Sequence, residues 1–484
     1  MAYRNETPIG LLALEQRLHQ DLAWLALPTT GGAQKTHPAG RVQDVVIIGA
    51  GMAGMATALA LRLAGIDAVL YDRARKDDEG PWTTTALMET LRSPKQLTGP
   101  ALDLPSLTFR AWYEAQFGRQ AWERLDKIPR LQWADYLRWY RRVLALDVRN
   151  EHELVNLLPR DDGVVQLDLR HAGQRQTVLA RKVVLAVGMT AFGGAAIPDF
   201  VTALDRRYWA HAADPIDYSA LNGRRVAVVG GSAAAMDTAA TALEAGAGAV
   251  ELLIRRADFP RVNKNKGAGS PGLEQGYYSL PDEWKWRLAH YIASEQIPPP
   301  RGSTLRVARH ANAWFNFACP VLRAQQEENG VTLHTPKGAF PVDFVILATG
   351  YRLDWSQCPE YRALAGQIML WRDAFRPPET QYNDQLAQYP YLNEDFSLRP
   401  KSSSAPQGLD RIHCFSYPAY LSNGYVVGLI PGLSVGARRL AQAIAAQLYV
   451  EDREYHYRRI VDYNEPELLG DEWRPAPPYS ARRR

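Results

Sequence analysis

The sequence predicts an α/β chain in which one Rossmann-like dinucleotide-binding domain is interrupted by a second. Three observations carry this expectation. A β-branched run, Asp44-Val45-Val46-Ile47-Ile48, passes directly into Gly49-Ala50-Gly51-Met52-Ala53-Gly54 and then into an Ala- and Leu-rich helical segment, Met55 to Ala64. The same strand, glycine turn and helix return from Arg225, as Val226-Ala227-Val228-Val229, Gly230-Gly231-Ser232-Ala233-Ala234-Ala235 and a helix from Met236 to Ala245. Two more apolar runs end in glycine, at Gly188 and at Gly350, and they flank the second unit. The economical parse gives an N-terminal helix and linker over 1–40, a first domain over 41–216 plus 346–484, and a second domain over 217–345 with an insertion at 259–325.

The elements follow in order. Leu11-Leu12-Ala13-Leu14 continues through Leu18, Leu22, Trp24 and Leu25 with helical spacing, the pattern of an amphipathic helix lying on a domain surface. Small and polar residues from Pro28 to Arg41 read as a linker. In the first unit Gly65 ends the helix, and Ala68-Val69-Leu70-Tyr71-Asp72 is a second strand closed by an acid. In the second unit Val250-Glu251-Leu252-Leu253-Ile254 is closed by Arg255-Arg256 instead. Residues 259–325 mix Trp, Tyr and Asn with Pro298-Pro299-Pro300 and read as irregular or helical. The aromatics of Gln132 to Tyr140 fall at helical spacing and read as core. The Pro- and Arg-rich tail from Arg474 to Arg484 is expected to fray.

Composition narrows the function classes. Across 484 residues, 56 Lys+Arg against 52 Asp+Glu leave +4, too small a charge to argue for nucleic acid. Cys319, Cys358 and Cys414 are too few and too scattered for a disulfide framework, a zinc site or a CxxC redox pair, so no metal is expected and a reducing, cytoplasmic setting is the simplest expectation. No run of about 18 apolar residues offers a membrane helix, and the N-terminus lacks the basic-then-apolar build of a signal peptide.

The two turns carry the chemistry. In the first, Gly49 permits the tight bend, Gly51 admits a pyrophosphate to the backbone, and Gly54 lets helix and strand lie close. The amides around Met52 and Ala53 and the helix dipole would face the phosphates. Asp72, with Arg73 beside it, would meet the adenosine ribose hydroxyls. The second turn is degenerate, with Gly230, Ser232 and Ala235 at the three glycine positions and Gly231, Ala233 and Ala234 between them. Where an acid would repel a ribose 2′-phosphate, Arg255 and Arg256 can pair with it, which favours NADPH over NADH. Two such folds in one chain suggest two dinucleotides, a fixed flavin and an exchanging nicotinamide, with hydride passing between them. Disulfide reductases share this glutathione-reductase-like plan, but they need the cysteine pair that this chain lacks.

At these residues the chain resembles the class B flavin-dependent monooxygenases: flavin-containing monooxygenases, Baeyer–Villiger monooxygenases and microbial N-hydroxylases. The resemblance covers roughly residues 40–440. It rests on both fingerprints, on the turn Ala348-Thr349-Gly350-Tyr351, and on Tyr208-Trp209-Ala210-His211 with Tyr218, where the family's histidine is matched but its glycine and strict spacing are not. The resemblance implies FAD and NADPH as cofactors, and one oxygen atom moved from O2 to a small molecule through a C4a-peroxyflavin. It also implies Trp82 along the isoalloxazine, Lys95 on the flavin or its phosphates, and Arg92 beside the flavin where flavin-containing monooxygenases often carry asparagine. Gly188 and the Thr349-Gly350-Tyr351 turn join the cofactor-binding set. Gly432-Leu433 would open a helix whose dipole faces the N1–C2=O side of the flavin.

The leading expectation is heteroatom oxygenation, nitrogen first. Baeyer–Villiger insertion, a non-oxygenating NADPH:acceptor oxidoreductase and a non-catalytic flavin-binding protein remain as alternatives. The expected partners are a small molecule and O2, with neither nucleic acid nor membrane, and self-association is left open. Arg92, Lys95 and Arg110 hint at an anionic substrate, whose identity the sequence does not give.

Overall fold

The structure is a computed structural model, and it describes residues 9–27, 33 and 35–479. Of the expected linker, residues 28–32 and 34 lie outside the described residues, as does the tail from Ser480 to Arg484.

The apolar N-terminal repeat forms the helix Leu11–Trp24. It buries Leu14 and Leu18 while Trp24 stays exposed, so it lies on the surface of the first domain. No helix among the described residues is long and apolar enough to cross a membrane.

The first sheet runs Val148–Arg149, Ala68–Tyr71, Gly40–Ile48, Gln174–Leu185, Val165–His171, Glu153–Pro159. Its first four strands are parallel, and the last two continue as an antiparallel meander. Ile412–Cys414 adds a parallel strand against Gln174–Leu185, so a segment from late in the chain completes the early sheet. Val45, Val46 and Ile47 are fully buried, as expected of a parallel strand covered on both faces. Helix Met52–Leu63 follows the first glycine turn and packs against the long C-terminal helix Leu433–Glu451.

The second sheet is parallel throughout, in the order Ala313–Asn316, Ala249–Leu253, Arg225–Val229, Phe344–Leu347, Trp209–His211. It takes in Trp209–His211, ahead of the boundary at 217 expected from sequence, because that strand finds its partner in Phe344–Leu347. One face is covered by helix Ala233–Glu244 with Val307, and the other by the antiparallel ribbon Arg323–Val342. Between the two sheets the chain crosses twice, and the crossings pair: Gly193–Ala195 runs antiparallel to Tyr351–Leu353.

The insertion belongs to both bodies, which corrects its assignment to the second domain alone. Ala313–Asn316 closes the second sheet's edge. Helix Asp282–Glu295, however, sends Trp286 into the first domain's core, against Trp371 and Phe375 at 6.2 and 5.9 Å, and its indole N–H donates to Gln381 O. A large aromatic ring gains most where the apolar surroundings are deepest, and the first core is the larger of the two.

Candidate active site

The first glycine turn has the geometry of a phosphate cradle. Gly49 sits at φ +99°, and a Cβ there would overlap the carbonyl oxygen of Ala186 and come within 2.9 Å of its carbon. A Cβ on Gly54 would overlap the Gly49 carbonyl oxygen, so helix and strand touch backbone to backbone. At Gly51 the nearest atom to a Cβ would be Gly80 Cα at 3.8 Å, which leaves its backbone open. No side chain caps the helix Met52–Leu63, and its first intrahelical bond is donated by Met55 to Gly51 O. The amides of Met52, Ala53 and Gly54 thus precede the ladder, as an anion site requires. Asp72 closes the neighbouring strand and accepts from the amides of Ala50 and Ala74, both at 2.7 Å. Those bonds aim the carboxylate across the turn and leave further lone pairs for ribose hydroxyls. Arg73 is exposed beside it. These residues fit a dinucleotide.

The second turn repeats the construction. Gly230 sits at φ +142°, and a Cβ there would overlap the carbonyl oxygen of Ala348, as Gly49's would that of Ala186. Gly230 N donates to Leu253 O as Gly49 N donates to Tyr71 O. Ala348 N donates to Val229 O as Ala186 N donates to Ile48 O. Ser232 is the N-cap of helix Ala233–Glu244, yet its exposed hydroxyl makes no capping bond, so Ser232, Ala233 and Ala234 present an uncapped helix start. Gly231 lies against Ile254 and Phe259. Arg255 is exposed and Arg256 half-buried, and neither guanidinium makes a hydrogen bond or ion pair among the described residues.

A continuous wall links the first turn to the C-terminal helix. Gly80 faces Gly51, and Trp82 packs on Gly80, its ring 3.5 Å from that glycine's Cβ position. Trp82 meets Trp133 edge to face at 6.2 Å, and Trp133 and Ile430 both close on Gly99. Ile430 leads into Gly432, the uncapped N-cap of Leu433–Glu451. Leu433 is fully buried, and Ser434 donates to Gly99 O at 2.7 Å while accepting from Leu102 N at 3.1 Å. The indole N–H of Trp133 is buried in this wall without a partner.

Two residues of the expected flavin contact set are used elsewhere. Lys95 directs its ammonium at the carbonyls of Trp122, Glu123 and Leu125, where it caps the helix Arg119–Arg124. An ammonium has three donors, so none is left for a flavin phosphate. Arg92, expected as a catalytic group, is exposed and donates to Pro298 O at 2.5 Å. It ties the insertion to the first domain and touches neither turn.

The crossings between the bodies hold Gly188 and the Thr349-Gly350-Tyr351 turn. Gly188 opens the short turn Gly188–Thr190 just past the strand that abuts Gly49. Thr349 donates to Ala196 O at 2.6 Å, and Ala196 N donates to Gly350 O at 2.9 Å, which fastens the two crossings together. His211 packs edge-on to Tyr351 at 5.8 Å. Its Nδ1 accepts from Ala213 N, which places the neutral ring's proton on the buried Nε2, on the side of the Gly350 backbone. Burial holds this imidazole below its ordinary pKa, so it is neutral at pH 7.

Sequence reasoning missed two features. Arg306 donates to Leu87 O at 3.1 Å and pairs with Glu244 at 2.7 Å, joining the second turn's helix to the first domain. A cluster of tyrosines, Tyr389, Tyr417, Tyr420 and Tyr425, lies at the carboxyl end of the first sheet. The crowding of three aromatics into Tyr417-Pro418-Ala419-Tyr420-Leu421-Ser422-Asn423-Gly424-Tyr425 was its signal. A cavity of about 520 Å³ lies elsewhere, between Arg352–Ser356 and residues 364–401, and touches neither glycine turn.

Residues 43–267 match the pyridine nucleotide-disulphide oxidoreductase family. An FAD-dependent urate hydroxylase of Xanthomonas campestris pv. campestris is 38% identical over 468 residues, covering 96% of this chain and 98% of its own. Among solved structures, ornithine hydroxylase of Pseudomonas aeruginosa aligns with a TM-score of 0.62 at 19% identity, over 84% of this chain and 100% of its own. Ornithine N-hydroxylase of Kutzneria sp. 744 aligns at 0.66 with 17% identity, and L-lysine 6-monooxygenase of Pseudomonas syringae at 0.64 with 16%, each over 84% of this chain and 99% of its own. At these identities the structures share the fold.

Proposed function

Since the chain belongs to the class B flavin-dependent monooxygenase family, as an FAD-dependent hydroxylase, we propose that it uses NADPH and O2 to hydroxylate a planar oxopurine of the urate class. The observation that carries this reading is the near full-length match to a urate hydroxylase. Oxygenation of an amine nitrogen is the second reading, supported by the fold shared with the ornithine and lysine enzymes.

Bound FAD would take hydride from the nicotinamide and pass the electrons to O2. The residues of this chain bind, orient and exclude water. Gly49, Gly51 and Gly54 let the backbone reach the FAD pyrophosphate, Met52 and Ala53 offer it their amides, and Asp72 holds the ribose. Trp82 lies beside that turn, and the uncapped start at Gly432-Leu433 offers positive dipole to the flavin. Gly230 to Ala234 cradle the NADPH pyrophosphate, and the unpaired Arg255 and Arg256 answer a 2′-phosphate. Gly188 and Thr349 to Tyr351 set the spacing between the two bodies. The domain division follows the two sheets, with the insertion shared between them. Self-association is read from the helix Arg453–Asp462, which buries no residue and leaves Tyr457, Ile460 and Val461 exposed. A cytoplasmic setting, where NADPH is held reduced, suits this chemistry.

The test is turnover. Purified enzyme loaded with FAD is given urate, NADPH and O2, and the consumption of all three is followed. Equimolar consumption supports the proposal. NADPH oxidation that yields only H2O2, with urate left intact, refutes it, and an amine panel then decides the second reading.

A further inference from the structure

Ser416 follows the strand Ile412–Cys414, and its hydroxyl donates to Leu185 O at 2.6 Å while accepting from Val187 N at 3.0 Å. The chain therefore leaves the first sheet at the carboxyl ends of its parallel strands, the same edge as the Gly49 turn and Asp72. In open parallel sheets ligands bind outside that edge. Tyr417–Ala419 packs there against Gly188–Thr190, and the carbonyl of Tyr425 abuts Gly432 at the start of the C-terminal helix.

Five phenols converge at this place. Tyr389 and Tyr417 each meet Tyr420, at 5.2 and 5.1 Å between ring centroids, and Tyr420 stacks on Tyr425 at 5.8 Å. Tyr277, carried in by the insertion, closes against Gly424, where a Cβ would lie 2.7 Å from its ring. The hydroxyls of Tyr389, Tyr417 and Tyr420 bear on one another, and none of the four first-domain phenols holds a carbonyl, amide or carboxylate among the described residues. Tyr417 and Tyr425 are half-buried, and Tyr277, Tyr389 and Tyr420 are buried behind them. The titratable groups that act most strongly on Tyr417, Tyr420 and Tyr425 are other tyrosines. Burial raises every one of these phenols, so all stay protonated at neutral pH.

We propose that these five tyrosines form the substrate pocket, built for a flat heterocycle whose edge alternates carbonyl and N–H groups, an oxopurine. This rests on the function proposed above. A phenol can donate to an exocyclic oxygen and accept from a ring N–H, and its ring can stack on a planar ligand. Supplied by Tyr417 and Tyr425 in front of the buried rings, that pairing matches the rim of an oxopurine. An aminoalkyl acid would instead need a carboxylate for its ammonium and a guanidinium for its carboxylate; among the described residues none of the five phenols pairs with either, and the Arg439 guanidinium nearby is turned to Asn423 O. Tyr417 and Tyr425 are the half-buried members and would make the contact.

The test uses full-length holoenzyme carrying Tyr417→Phe or Tyr425→Phe. Each change deletes one oxygen and keeps the ring. Urate binding to the oxidised flavoprotein, without NADPH, is read from the flavin absorbance, and KM from steady-state turnover. Each variant is expected to weaken binding and raise KM about tenfold, while FAD content and Tm stay at wild-type values. If the wild type hydroxylates urate and both variants match its binding and KM, the pocket is overturned and the function stands. If the wild type neither binds nor consumes urate, the functional reading fails, and the pocket fails with it.

Discussion

Replacing Gly54 with alanine tests the first glycine turn directly. A Cβ at this position would overlap the Gly49 carbonyl oxygen, lie 3.0 Å from the Gly49 carbonyl carbon and press on Ile47 at 3.4 Å. None of these neighbours is the flexible end of a long side chain. Relief needs the helix Met52–Leu63 to move away from the strand by about 1 Å, against a core in which Met55, Ala56 and Leu59 are buried. Overpacking of this kind costs about 1–3 kcal/mol. The same shift moves the Met52 and Ala53 amides off the pyrophosphate, and losing one or two charge-assisted bonds adds about 1.5–3 kcal/mol to the cost of binding FAD. The lost bonds predict FAD affinity lowered about ten- to a hundredfold, and the overpacking predicts a Tm several degrees below wild type. FAD content of the purified variant and fluorescence titration of its apoprotein measure the affinity. Ala235→Gly, at the matching place in the second turn, is the control and should leave FAD content unchanged. A Gly54→Ala protein that retains stoichiometric FAD at wild-type affinity would refute the reasoning.

Three further outcomes are expected. Arg255→Ala and Arg256→Ala should each lower kcat/KM for NADPH by about five- to thirtyfold and leave that for NADH nearly unchanged, since each exposed or half-buried guanidinium contributes about 1–2 kcal/mol toward a 2′-phosphate; equal losses with both nucleotides would remove the phosphate role. Lys95→Met should lower stability by about 1–3 kcal/mol through the uncapped carbonyls of Trp122 to Leu125 and leave FAD affinity intact, whereas a selective loss of FAD would return Lys95 to the cofactor. Burial holds the imidazoles of His211 and His413 below the ordinary value of 6.5, so near pH 6 the unfolded chain binds protons that the folded chain does not. Stability should therefore fall as pH drops through about 6.5, and the Tm at pH 5.5 should lie below that at pH 7.5; an unchanged Tm would contradict the burial of both rings.

The glycine turns were legible because their requirements are local. A strand, a turn needing positive φ and a helix lying on the strand constrain residues within a few positions of one another, and Gly49, Gly54 and Gly230 carry that constraint in the sequence itself. The places of Asp72 and of Arg255-Arg256 at the ends of the strands that follow the two turns were legible for the same reason. Lys95 was not, since its partners are carbonyls near residue 123, and a carbonyl leaves no mark in a sequence. Arg92 failed likewise, because Pro298 reaches it from the insertion.

By itself the sequence determined that there would be two dinucleotide folds, where their glycine turns would fall, and which strand end would carry an acid and which the arginines. Only the tertiary structure decided where the insertion belongs, by burying Trp286 in the first core while Ala313–Asn316 closed the second sheet. It alone fastened Thr349 to Ala196, joined Arg306 to Leu87 and gathered five tyrosines from three separate stretches of chain at one sheet edge. The physical reason is one of range. Backbone conformation is set by neighbours in the chain, whereas packing and the pairing of buried polar groups are set by whatever the folded core brings alongside.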